Sequence, residues 1–139
     1  MDIWTKKKRS EVMSRIKSKD TKPELILRSS LFKLGFRFRV HRKDLPGKPD
    51  IVLPKYHTVI FVHGCFWHYH KDCQEGRLPS TNSEFWKKKL LRNIEKDKEH
   101  QQKCIELGWK VLVVWECELE QHLSKIMIKI KQTLNQQKL

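Results

Sequence analysis

The chain has 139 residues, with 30 Lys and Arg against 16 Asp and Glu, a formal charge of +14 at pH 7. That length suits a single domain with one core, and the positive excess calls for a polyanionic partner, nucleic acid before any other. There is no apolar run near the length of a membrane span and no secretory or lipidation signal, so a membrane role is excluded and a cytoplasmic, nucleoid-associated protein is expected, its four cysteines reduced or metal-bound.

Residues 1–20 form a basic arm built around Lys6-Lys7-Lys8-Arg9, with a short helix expected from Ser10 that carries Met13. Charge runs of this kind are usually solvated tails; phosphate contact with an apolar tip at Met13 is the second reading. Thr21-Lys22-Pro23-Glu24 has the form of a capping box and predicts a helix to Leu34, with Leu27, Leu31 and Leu34 on one face and Gly35 as its left-handed stop. Glu24 thereby has a structural explanation independent of any chemistry.

Phe36-Arg37-Phe38-Arg39-Val40 alternates apolar with basic, the period of an outer strand. After the breakers Leu45-Pro46-Gly47-Lys48-Pro49, a strand from Asp50 to Leu53 and another from Thr58 to Val62 are expected to pair as a hairpin, bringing Asp50 close to the Val62-His63 end. A carboxylate at a strand end beside an exposed carbonyl suits a hard ion such as Mg²⁺; the bland alternative for Asp50 is a turn residue after Pro49.

His63-Gly64-Cys65-Phe66-Trp67-His68-Tyr69-His70-Lys71-Asp72-Cys73 concentrates imidazoles, thiols and large aromatics in one loop. Cys65, His70 and Cys73 are soft donors at a spacing that lets one loop wrap a tetrahedral ion of zinc type, and the fourth ligand must be Cys104 or Cys117. Cys117, just past the apolar run 111–115 at a strand end, is the better placed. Taken singly these would be buried thiols and scattered histidines; it is the clustering that favours a structural metal. His63 and His68 are then free for acid–base work.

A long helix is expected from about Glu84 to Leu107, stopped by Gly108, with Phe85, Leu90, Leu91, Ile94 and Ile105 as its apolar stripe and Asn82 or Ser83 as its cap. Trp86, Lys89 and Asn93 lie near its basic face. Residues 109–115 form the most apolar strand, which predicts a central position in the sheet. A helix over 118–137 closes the chain, with Leu119, Leu123, Ile126, Ile130 and Leu134 at helical spacing.

The ordered set Thr21-x-x-Glu24, Leu45-Pro-Gly-Lys-Pro-Asp50-Ile-Val, Phe61-Val-His-Gly-Cys-Phe-Trp-His-x-His, Glu84-Phe-Trp86, Asn93, Gly108-Trp and Trp115-Glu-Cys117 resembles the very-short-patch repair (Vsr) endonucleases from about Ser10 to Glu118. The resemblance implies a restriction-endonuclease-like α/β fold, a central mixed β-sheet flanked by helices with a structural zinc. It implies a monomer that nicks one strand of duplex DNA 5′ to the T of a T:G mismatch. Such mismatches arise by deamination of 5-methylcytosine, so a cytosine-5 DNA methyltransferase is the functional associate.

By position the resemblance makes Asp50 the Mg²⁺-binding aspartate, with the Val62 carbonyl beside it, His63 and His68 the catalytic histidines and Glu24 their support. Better-known members carry a threonine at Val62, a change to which a carbonyl ligand is indifferent. Cys65, His70, Cys73 and Cys117 become the zinc ligands, and Phe66, Trp67 and Trp86 the aromatic wedge beside the mismatch, with Met13 entering from the other groove. His68 is assigned as general base and His63 as the group orienting water or phosphate, roles that could be exchanged, and Lys89 and Asn93 as groove contacts. The rival readings are a restriction-type nuclease cutting matched DNA and a non-enzymatic zinc protein that binds DNA by its basic surface.

Overall fold

A computed structural model describes residues 21–65, 68, 70 and 78–136. The expectations for Met13, Phe66, Trp67 and Cys73, and for a helix after Ser10, lie outside the described residues.

Helix α1 spans Lys22–Lys33, with Pro23 in its first turn, where a missing N–H costs nothing, and Gly35 at φ +87° just past its end. Thr21 occupies the cap position but makes no side-chain cap hydrogen bond. Instead Arg28 Nη2 donates to Glu24 Oε2 at 3.0 Å, one turn along. Leu27 and Leu31 are fully buried, whereas Leu34 is 46% exposed, because the chain leaves helical geometry there and turns Phe36 inward instead.

Among the described residues three strands form the sheet: β1 (Ile51–Leu53), β2 (Thr58–His63) and β3 (Lys110–Trp115), in the order β1-β2-β3. The expected hairpin is present: β1 runs antiparallel to β2 with Ile51 opposite Ile60, joined by a 3₁₀ turn and His57 at φ +50°. β3 runs parallel to β2, with His63 opposite Trp115, and the crossover between them is helix α2 (Ser83–Glu106). β3 is therefore an outer strand and β2 the middle one. The apolarity of β3 reflects packing against both cores, Leu112 and Val114 on one face and Val111 and Val113 on the other, which does not require a neighbour on both edges.

The alternation along Phe36-Arg37-Phe38-Arg39 places Phe36 and Phe38 against the core as expected, yet pairing is confined to one bridge, Arg39 with Val52. Asn82 precedes α2 at φ +55° and makes no side-chain cap hydrogen bond. The expected final helix is two: α3 (Glu116–Gln121) and α4 (Leu123–Gln136), broken at His122 without any Pro or Gly to announce it.

Period-two alternation splits the strand residues between two cores. Ile51, Leu53, Ile60 and Val114 face α1, α3 and α4 through Leu27, Leu31, Leu119, Ile126, Ile130 and Leu134. Val52, Val59 and Phe61 face the other way, against Leu45 and Cys104 of α2. Each fully buried Leu or Ile contributes about 1.5–3 kcal/mol from removal of apolar surface. Of the expected α2 stripe only Leu90 is buried; Phe85, Leu91 and Ile105 are 60%, 38% and 52% exposed. Among the described residues no helix is long and apolar enough to cross a membrane.

Candidate active site and metal centre

Antiparallel β1 begins where β2 ends, so Asp50 and the Val62–His63 end of β2 come together at one end of the sheet. The Asp50 N–H donates to the Ile60 carbonyl at 3.1 Å, and the Val62 N–H donates to Asp50 Oδ2 at 2.6 Å. The aspartate is thereby locked into a cleft of about 910 Å³ lined by Glu24, Arg28, His63, His68 and Asp97.

Glu24 is 3% exposed and hydrogen-bonds to Asp50. Burial lifts the Asp50 carboxyl to about 7, with the neighbouring Glu24 adding to the rise; the Val62 N–H and the Arg28 charge act against it. The two neighbouring carboxyls bring hard oxygens together, and such a cluster suits Mg²⁺.

His63 and His68 stack face to face, centroids 3.8 Å apart and planes within 4°. His63 is 5% exposed and its Nδ1 has no hydrogen-bond partner among the described residues. Burial, with the charge of His68 behind it, depresses His63 to about 4, so it is neutral at pH 7. His68 is held differently, its Nδ1 2.6 Å from Asp97 Oδ2 of α2. A donor atom from each of His63, His68 and Asp97 falls within 4.8 Å of the others. Parallel stacked rings aim their lone pairs in parallel planes, however, and no ion lies in both; the arrangement suits proton handling better than a metal cage.

In a second group, Cys65, His70 and Cys117 bring donor atoms within 4.8 Å of one another. Cys117 Sγ is 3.5 Å from His70 Nδ1. Zn–S of about 2.3 Å and Zn–N of about 2.0–2.1 Å at the tetrahedral angle give a ligand–ligand edge of about 3.6 Å, so the spacing fits a shared tetrahedral ion. Cys104 lies in the opposite core, its Sγ donating to the Pro46 carbonyl at 3.3 Å, away from this group. Trp115 bridges the two clusters: it stacks on His70 at 4.1 Å and meets His63 edge-on at 5.1 Å.

Asp50, Val62, His63, His68 and Glu24 thus share one cleft, and Cys65, His70 and Cys117 one cluster beside it. Trp86, Lys89 and Asn93 do not line the cleft. They sit on α2 at spacings of three and four that lead on to Asp97, with Lys89 Nζ 5.4 Å over the Trp86 ring. Asp97 and Arg28 were not singled out by sequence, and Trp115 only as part of the Trp115-Glu-Cys117 motif. For Asp97 the only signal is an acidic residue continuing the Trp86-Lys89-Asn93 face of a lysine-rich helix.

The fold and cleft define a class: a mixed α/β protein with a carboxylate–imidazole site under a strongly basic surface, the equipment for hydrolysing a phosphodiester. The family described as "DNA mismatch endonuclease Vsr" matches residues 1–75. The chain is 47% identical over 136 residues to "Type II nicking enzyme V.NmeAIP" of Neisseria meningitidis serogroup A, covering 94% of this chain and 96% of that one. It is 46% identical over 118 residues to "DNA mismatch endonuclease Vsr" of Escherichia coli K12, covering 85% and 75%. "Type II nicking enzyme V.XorIIP" of Xanthomonas oryzae is 46% identical over 118 residues, covering 85% and 86%. The chain belongs to the Vsr family of DNA mismatch endonucleases.

Proposed function

We propose that this endonuclease nicks one strand of duplex DNA 5′ to the T of a T:G mismatch, starting very-short-patch repair. It acts as a monomeric single nuclease domain of restriction-endonuclease-like fold, alongside a cytosine-5 DNA methyltransferase. The observation that carries the reading is the meeting of Asp50 and Glu24 with the His63–His68 stack and Asp97 in one cleft.

Asp50, with the Val62 carbonyl beside it, would hold Mg²⁺, which would supply charge stabilisation for the pentacoordinate transition state at phosphorus. Glu24 steadies Asp50 from α1. An imidazole that donates Nδ1–H to a carboxylate keeps Nε2 as an acceptor, so the His68–Asp97 contact favours His68 as the base that takes the proton of the attacking water. His63, neutral and buried, orients the phosphate or the water. Cys65, His70 and Cys117, with Cys73 as fourth ligand, hold a structural zinc that sets the loop carrying His68.

Recognition is partly mechanical. A wobble pair is stacked less well than a normal pair, so inserting Phe66, Trp67 and Trp86 beside it, with Met13 from the other groove, costs less than in intact duplex. Lys89 and Asn93 meet the groove on the same helix face. The test is to incubate the protein and Mg²⁺ with two duplexes differing only in T:G against C:G. A nick 5′ to the T in the mismatched duplex alone is expected; equal cleavage of both, or cleavage of both strands, refutes the reading.

A further inference from the structure

The cleft has a wall that neither the catalytic nor the metal-binding residues use: the loop of residues 41–49. Its base is fixed from several sides. The Arg39–Val52 bridge precedes it, Leu45 is buried in the second core, the Pro46 carbonyl accepts from Cys104, and the Lys48 N–H closes on the Leu45 carbonyl at 3.1 Å. Gly47, at φ +74°, lies so close to α2 that a Cβ there would stand 2.7 Å from His100 Cβ and 3.1 Å from the Phe61 ring. His41 and Lys48 adopt φ of 59° and 50°, backbone that residues with side chains rarely take and that persists where surroundings enforce it.

What this fixed loop raises into the cleft is positive charge: Arg42, Lys43 and Lys48 line it beside Asp50. Arg42 is engaged by Asp44, Nε to Oδ1 at 2.8 Å and Nη2 to Oδ2 at 3.1 Å. Lys43 and Lys48 are exposed and have no ion pair among the described residues. The Lys48 Cα is at most about 7 Å from the Asp50 Cα, so its ammonium reaches the phosphate next to the one at the carboxylate. A lysine on an open helix surface adds diffuse attraction; a lysine on a rigid rim two residues from the reacting group sets where the strand lies.

We propose that the 41–49 loop is a backbone clamp, in which Lys43 and Lys48 each neutralise one phosphate of the strand to be nicked and so fix its register over Asp50. This rests on the cleft being the nicking site. The clamp contacts sugar–phosphate alone, so it acts equally on matched and mismatched duplex.

The experiment measures equilibrium binding of the full chain to a T:G and a C:G duplex over a salt series without Mg²⁺, and nicking with Mg²⁺. It compares Lys43→Ala/Lys48→Ala with Lys129→Ala/Lys131→Ala, an equal charge change on exposed positions of α4. Each lost phosphate contact removes about 0.9 from the slope of log K against log salt. The loop variant is expected to lose about 1.8 on both duplexes, to bind at least about tenfold more weakly at 0.15 M salt, and to need correspondingly more DNA for half-maximal nicking. The α4 variant is expected to match wild type. A loop variant with the wild-type slope, or an α4 variant with the same loss, overturns the clamp. Wild type that nicks neither duplex refutes the assignment of the cleft, while the slopes still decide whether the loop grips phosphate.

Discussion

His68 Nδ1 and Asp97 Oδ2 lie 2.6 Å apart, tying the loop after β2 to the middle of the crossover helix 29 residues further on. Both side chains are partly solvent-exposed, at 28% and 20%, so the pair is accessible from the cleft rather than sealed in the core. Its job in this account is to fix the tautomer of His68 and to stabilise the imidazolium formed as water is deprotonated.

Asp97→Asn keeps the shape and removes the charge. Single-turnover nicking is expected to slow on the order of 10²-fold, within the range that general base catalysis supplies. The pH dependence of the rate should change with it, and DNA affinity should not. An unchanged rate and pH profile would reduce the contact to a structural ion pair.

The sulfur cluster makes a separate demand. Metal analysis of purified protein is expected to find one zinc per chain in wild type and in Cys104→Ser, and to find it lost in Cys117→Ser. Chelation should lower the thermal midpoint of wild type by many degrees, since a structural ion's binding energy is folding energy. Zinc retained at full stoichiometry in Cys117→Ser would remove that residue from the ligand set.

Much of this site is legible in the sequence for a physical reason: its parts are local. Asp50 and Val62 are joined by a hairpin of two short apolar runs with an explicit turn between them, and the sulfur loop carries Cys65 and His70 within six positions. The partnership of Asp97 with His68 is tertiary, created by α2 crossing the sheet, and no periodicity announces it. Similarly, apolarity told that β3 packs on two faces but not that it lies at an edge. The break at His122 arises with no Gly or Pro, and the caps at Thr21 and Asn82 have the right residue without the hydrogen bond. At Thr21 the structure gives Glu24 other partners, Arg28 and Asp50.

Two groups in the cleft give metal-free protein opposing pH responses. Asp50 holds its proton to about 7 when folded, against 3.8 in an unperturbed carboxyl, so between these values the folded state binds a proton that the unfolded state has lost. Its contribution is complete below about 4 and is lost as pH rises through 7. His63 runs the other way: depressed from 6.5 to about 4, its contribution is present above 6.5 and lost as pH falls through 4. Asp50→Asn deletes only the first. With chelator present, urea unfolding should show the variant gaining on wild type between pH 5 and pH 7, by about 2 kcal/mol. A difference independent of pH would contradict the raised Asp50 carboxyl.

The central claim is that the Asp50 carboxyl is the group at which the strand is cut, and the most direct measurement is the single-turnover nicking rate of Asp50→Asn on a T:G duplex in Mg²⁺, alongside its affinity for the same duplex. The account predicts nicking reduced to background with affinity within a few-fold of wild type. A variant that still nicks at the wild-type rate would contradict it.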